Sequence, residues 1–283
     1  MDDALFLAWL PKAIVYGLAQ LAAGIVVVRY LAGRERSDAH ADSRLEAYLA
    51  GLARVVAALL PIALACRLGV QSASAFGGSE AWTIENLRVI ALESRWGNGW
   101  RLQISASAVL LLAVVVLTPR FRWLLFGAGA VGLSLVMPML GHAAGSWLRY
   151  GIHAAHNLAA AIWIGSLGAI TIASWRPSTR VAIQPLVRAF SPFALASSSV
   201  VFVSGAIAAW MYVGSWTSLW IAPYGRVLIF KLVGVALVVA FGWMNWRTVR
   251  RGRPPRPQTM TAEWVIAMAV LGLTGVLTET EHP

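Results

Sequence analysis

Apolar runs of eighteen residues or more recur from one end of this 283-residue chain to the other. A run of that length is what a helix needs to cross a hydrocarbon layer about 30 Å thick at about 1.5 Å per residue. A large soluble helical core would need polar faces, and these runs lack them. Only 12% of the residues are charged, about half the share usual in soluble domains. The chain therefore reads as all-α, a polytopic membrane protein.

Apolar stretches between charged breaks place eight helices near 5–31, 46–68, 101–117, 122–141, 150–174, 189–213, 226–246 and 261–278. We refer to them as spans one to eight. Alternate connections differ in arginine. Arg29, Arg34, Arg36 and Arg44 fall between spans one and two, Arg120 and Arg122 between three and four, and Arg176, Arg180 and Arg188 between five and six. Arg247, Arg250, Arg251, Arg253 and Arg256 follow span seven, the last of them in an Arg-Pro-rich linker at 250–257. The opposite face carries only Arg67, Arg88, Arg95, Arg101, Arg149 and Arg226. Positive charge collects on the cytoplasmic side, so both termini are expected outside the cytoplasm. Asp2, Asp3, Glu279 and Glu281 at the two ends agree with that orientation.

The same distribution accounts for the net charge of +11 without nucleic acid, since the arginines cap helices and form no continuous stripe. Asp2 and Asp3 stand where a secretory signal would carry positive charge, and no cleavable leader is expected. One cysteine, Cys66, excludes an internal disulfide and every cysteine-rich metal site. As a thiol it is a candidate accessory metal ligand, although a small apolar residue at that place needs no role. No internal repeat and no soluble domain stand out. The only long outer connection, 69–100, contains Glu85-Asn-Leu-Arg-Val-Ile-Ala-Leu-Glu93, whose apolar positions 87, 89, 90 and 92 fit a short helix lying at the interface.

Three of the five histidines, His142, His153 and His156, fall within fifteen residues at the outer ends of spans four and five. Polar groups at membrane depth are costly and tend to mark a pathway or a ligand site. His153 and His156 are three apart, hence on one helical face and about 4.5 Å apart in rise. His142 closes span four beside them. Met137 and Met139 lie within about two turns of His142, although methionine is more often core filler than ligand. Imidazole and thioether together suit Cu(I), and imidazole with carboxylate suits Cu(II). Singly, each histidine reads better as a helix-capping or hydrogen-bonding residue at the interface; jointly they favour ligation of a metal or cofactor. Glu279 and His282, at the end of span eight, reach the same depth and are candidate accessory ligands.

Lys12, Gln20, Arg54 and Lys231 are the other polar residues inside spans. Lys231 is expected to snorkel outward or to pair with Glu279, and Arg54 to meet Glu263, because buried charges need partners. The small residues of Ala159-Ala-Ala-Ile-Trp-Ile-Gly165-Ser-Leu-Gly168 allow close helix packing.

The stretch His153-Ala-Ala-His-Asn-Leu-Ala-Ala-Ala-Ile-Trp163-Ile-Gly165 resembles the fifth-helix signature of the copper resistance protein D (CopD) family. So does Arg188-Ala-Phe-Ser191-Pro192-Phe-Ala-Leu-Ala followed by Ser204-Gly205. The most specific likeness is Ala222-Pro223-Tyr224-Gly225-Arg226-Val-Leu-Ile-Phe-Lys231-Leu, running on to Asn245. Glu263 near the start of the last span and its Leu-Thr-x-Thr ending also fit. The likeness covers the chain and is strongest from about residue 140 onward. It implies a single transmembrane domain over 1–283, an eight-helix bundle in a bacterial inner membrane with periplasmic termini and 69–100 as a periplasmic loop. It further implies copper handling with a separate periplasmic copper-binding partner, in uptake and resistance. Carried over by position, His142, His153 and His156 become the copper contacts, with Tyr224 and Lys231 in the segment that marks the family. No catalytic residue follows from this reading. Two alternatives stay open: a redox protein in which His142 and His156, on facing helices, hold haem or paired histidines face a quinone, and an assembly factor that passes copper to an oxidase without transporting it.

Overall fold

The computed structural model describes residues 3–34, 39–116, 118–140, 146–213 and 216–278. Every apolar run is helical, and no strand occurs among the described residues. The order is α1 (Asp3–Arg34), α2 (Ala39–Phe76), α3 (Ile84–Arg88), α4 (Arg95–Val116), α5 (Pro119–Val136), α6 (Trp147–Ala160), α7 (Ser166–Ser174), α8 (Arg180–Val213), α9 (Trp216–Ile221), α10 (Pro223–Arg250) and α11 (Pro257–Leu277). Eight stretches are long and apolar enough to cross a membrane: Trp9–Arg34, Ser43–Phe76, Arg95–Val116, Phe121–Leu140, Trp147–Ser174, Arg180–Met211, Pro223–Arg250 and Pro257–Leu277. The chain is a multi-pass membrane protein with the eight spans that its hydropathy predicts.

Span five is the axle of the bundle. Its most apolar window is 78% buried, against 11% for span seven. It is also not one regular helix. A π-helical turn over Ala161–Gly165 joins α6 to α7, and an extra residue in one turn bends a helix and resets which face looks inward. That turn lies where span one crosses. A Cβ on Gly165 would sit 1.8 Å from the Gln20 carbonyl oxygen, and one on Gly24 would sit 1.9 Å from the Gly165 carbonyl carbon. The two backbones touch, with no room for a side chain between them. In lipid such close approach replaces the hydrophobic drive that assembles soluble bundles. Further along, Gly168 leaves space for the indole of Trp264 on α11.

The opposite flank is tied by polar contacts at the arginine-rich end. Glu46 accepts from Arg29 Nε at 3.0 Å and from Trp123 Nε1 at 2.7 Å. The Arg29 guanidinium also lies 4.9 Å from the Trp123 ring. One carboxylate thus links spans one, two and four. Near the same end Glu263 accepts from Asn245 Nδ2 at 2.8 Å, and Thr259 donates to Asn245 Oδ1 at 2.6 Å. The expected Arg54–Glu263 pair does not form, because Arg54 is exposed on α2 while the buried Glu263 faces α10. Exposed tryptophans sit near both ends of the spans, Trp82, Trp147, Trp210 and Trp220 at one and Trp175, Trp243 and Trp246 at the other. That is the distribution of aromatic belts at two membrane interfaces.

The connection between spans two and three is shorter than hydropathy alone suggests. α2 runs on to Phe76 and α4 begins at Arg95. A short helix, α3, followed by a π turn over Val89–Glu93, lies in this connection, and Thr83 caps it by accepting from the Asn86 amide at 3.3 Å. Its buried face is Ile90 and Ala91, whereas Leu92, assigned to the apolar face, is exposed.

Ala in place of Gly165 or of Gly24 is expected to cost about 2–3 kcal/mol, an overpacking penalty that neither backbone can relieve by rotating a side chain. Ala at Gly51, which has nothing within 4 Å of its would-be Cβ, should be close to neutral. Thermal melts of the detergent-solubilised variants, followed by aggregation, make the comparison.

Candidate metal site

The two histidines of α6 meet in one cavity. It has a volume of about 190 Å³ and lies at the end of the bundle where α1 begins and α11 stops. Seven of the eight spans contribute to its walls, all but span three. Span five supplies His153, His156 and Asn157; span four supplies Met137, Pro138 and Leu140; span seven supplies Tyr224, Leu228 and Lys231. Lys12 and Tyr16 enter from span one, and Arg67 from span two. His153 lies six residues into α6 and Lys231 eight into α10, depths of about 9 and 12 Å. The site is therefore sunk below the ends of α6 and α10.

Local sequence explains the placement. Met137 opens a 3-10 turn, Met137–Leu140, at the end of α5. Pro138 has no N–H to continue the regular ladder, and the tighter turn buries Met137, which is only 2% exposed. α6 is anchored to the last turn of α5, just before this 3-10 turn, through Asn157, whose Nδ2 donates to the Ser134 carbonyl at 2.6 Å, and through Tyr150, whose hydroxyl donates to the Leu135 carbonyl at 3.0 Å. Met137 and the histidine pair are thereby held on facing elements.

The Ser204 hydroxyl lies 2.5 Å from the Val200 carbonyl and 3.0 Å from His156 Nδ1. When its single proton goes to Val200, Ser204 accepts from His156, and Nδ1 carries the hydrogen. Nε2 is left with its lone pair, the form in which imidazole binds a metal, and an outer hydrogen bond of this kind is what orients metal-binding histidines. Gly205, next on α8, makes room for the ring: a Cβ there would lie 3.4 Å from His156 Cε1.

Not every residue singled out from the sequence is in this cavity. His153, His156, Met137, Tyr224 and Lys231 line it. Met139 does not, and is 44% exposed; the 3-10 turn sends alternate side chains to opposite sides, so the two methionines do not act together. Cys66 is exposed rather than a buried small residue, and the neighbour that lines the cavity is Arg67. His142, Glu279 and His282 lie outside the described residues, and so does the expected Lys231–Glu279 pair. Among the described residues no three His, Cys, Asp or Glu side chains gather as a metal site. Sequence reasoning assigned Arg67 to topology alone and missed Ser204 as a histidine partner. Only the packing of α2 and α8 reveals either role.

The comparisons with known proteins bear on this arrangement. The model of the copper resistance protein D-like N-terminal domain matches residues 1–150, and that of copper resistance protein D matches residues 184–277. The chain belongs to the copper resistance protein D family. The N-terminal match shows that the likeness is not confined to the stretch beyond residue 140. Between the two matches lie 151–183, which hold both histidines. The chain is also similar to the copper transport protein CutJ of Bacillus subtilis (strain 168), 27% identical over 245 residues, which cover 80% of this chain and 44% of that protein. It thus spans less than half the length of that relative. No solved structure matches.

Ser204→Ala removes the Nδ1 acceptor and should weaken metal binding about tenfold, the low end for loss of an outer hydrogen bond to a histidine ligand. Competition against a copper chelator measures it, and unchanged melting behaviour would show that the bundle stays intact.

Proposed function

We propose that this protein handles copper at a bacterial inner membrane, taking it from the periplasmic side through the cavity walled by every span but the third. The observation that carries the reading is the meeting, in one cavity, of two imidazoles one turn apart with a buried thioether, in a member of this family. Imidazole with thioether is a donor set suited to copper. His153 and His156 are the first ligands in this account and Met137 the softer one, with His142 and His282 as candidates to complete the set and Glu279 and Tyr224 as accessory groups. Copper is the cargo, delivered by a separate periplasmic copper-binding protein.

The orientation follows from the arginine distribution. The end with Arg247, Arg250, Arg251 and Arg253 faces the cytoplasm, and the cavity end faces the periplasm. Below the cavity the spans are closed by apolar packing and by the Glu263–Asn245–Thr259 cluster, so passage inward requires the spans to move. A haem reading would take His156 with His142, which lies outside the described residues, from facing helices; His153 and His156 stand one above the other on a single helix and do not reach opposite sides of one ring.

His153→Ala/His156→Ala should purify as a folded protein without the near-stoichiometric copper of the wild type. Metal analysis beside an optical spectrum reads this directly. Equal copper content and affinity in the two proteins would reject the assignment, and a Soret band lost in the variant would replace copper with haem. For orientation, single cysteines in a Cys66→Ala background are informative. Ser79→Cys should react with a membrane-impermeant maleimide in spheroplasts, and Arg253→Cys only after lysis. The reverse pattern would invert the topology.

A further inference from the structure

Span seven carries tryptophan and arginine in one stripe at the arginine-rich end of the bundle. Trp243, Trp246, Arg247 and Arg250 stand at helical positions i, i+3, i+4 and i+7, so they share one face of α10. That face looks away from the bundle. Trp243 is 53% exposed and Trp246 39%, while Val238, Asn245 and Val249 on the other side are buried. Leu232 and Val239 continue the exposed face toward the middle of the span. Span seven is the least enclosed of the eight, and the surface it shows is what lipid meets.

Each arginine of the stripe is seated on the tryptophan four residues before it. The Arg247 guanidinium lies 5.1 Å from the Trp243 ring, and that of Arg250 lies 5.1 Å from the Trp246 ring. The π face of an indole attracts a guanidinium and leaves its N–H edge free, and that planar fork matches the oxygens of a phosphate. Gly252, at a φ of 74°, then turns the chain, a conformation that favours glycine. The Arg253 amide donates back to the Thr248 carbonyl at 3.2 Å, which keeps Arg251 and Arg253 at the end of the same helix.

No group of the protein neutralises this patch among the described residues. Arg247, Arg250, Arg251, Arg253 and Arg256 are all exposed, and none of their side chains makes a hydrogen bond or an ion pair. The chain has no aspartate or glutamate between Glu93 and Glu263, and Glu263 is buried and bound to Asn245. Arginines elsewhere are engaged, Arg29 by Glu46, Arg101 by the Leu92 carbonyl and Arg226 by the Trp220 carbonyl. Uncompensated arginines at a membrane interface attract anionic headgroups.

We propose that the stripe is a binding site for an anionic phospholipid, with the phosphate on Arg247 and Arg250 and the acyl chains along Val239 and Leu232. The lipid holds one end of the span whose other end brings Tyr224 and Lys231 to the cavity. The site stands on this surface alone and does not depend on the copper reading.

Native mass spectrometry of the full-length, delipidated protein in detergent reads this. The probes are phosphatidylglycerol and phosphatidylcholine with the same acyl chains. The wild type should bind phosphatidylglycerol in preference, and Arg247→Gln/Arg250→Gln should bind it more weakly by about tenfold or more. Arg88→Gln/Arg95→Gln, which removes the same charge from two exposed arginines at the other end, should keep the wild-type affinity. All four positions are exposed, so neither variant disturbs the core, and melting points check the fold. Equal binding of the two lipids by the wild type would overturn the proposal. So would an unchanged affinity in Arg247→Gln/Arg250→Gln, or an equal loss in both variants, which would mean attraction to net charge without a site.

Discussion

The contact between two glycine backbones, Gly24 on span one and Gly165 on span five, sets the geometry of everything around it. With no side chain on either partner, the helices cross at the closest approach their backbones permit, and the π turn over Ala161–Gly165 lies at the crossing. Below it α7 continues as the most buried stretch of the bundle, packed on Trp264 through Gly168. Above it α6 angles away with His153 and His156 on one face. Span one follows on the other side of the gap and contributes Lys12 and Tyr16. The cavity exists because two helices that touch at their middles diverge toward one end.

Much of this was legible in the chain. Length and hydropathy gave eight spans, and Gly165 and Gly168 stood out as small residues fit for close packing. His153 and His156 share a cavity because a three-residue spacing on a helix leaves little alternative. What could not be read depends on which way a neighbouring helix turns. Met137 and Met139 are two apart, and only the 3-10 turn at Pro138 decides that one is buried and the other exposed. Arg67 at the end of an apolar run looks like any flanking charge until Gln103 and Trp96, more than a full connection away in sequence, take hold of it. Arg54 and Glu263 have complementary charges but reside on faces that never meet. Charge complementarity in a membrane sequence therefore suggests partners without fixing them.

The two ends of the bundle are chemically different. One end carries the arginine-rich connections, the Glu46 clasp and the Glu263–Asn245–Thr259 cluster, whose donors and acceptors are matched to one another and form a closed network. The other end carries the cavity, into which imidazoles, a thioether, a phenol and three cations are gathered. Buried polar groups that satisfy each other hold a structure together, and those that line a space form the wall of a candidate ligand site. That asymmetry, in a member of the copper resistance protein D family, is the basis for placing copper capture at the cavity.

X-ray absorption spectroscopy of the copper-loaded, detergent-purified protein tests the central claim most directly. The account predicts the multiple-scattering pattern of imidazole together with a sulfur shell that disappears in Met137→Leu. Scattering from light atoms alone, with no imidazole signature, would mean that copper binds elsewhere and would contradict it.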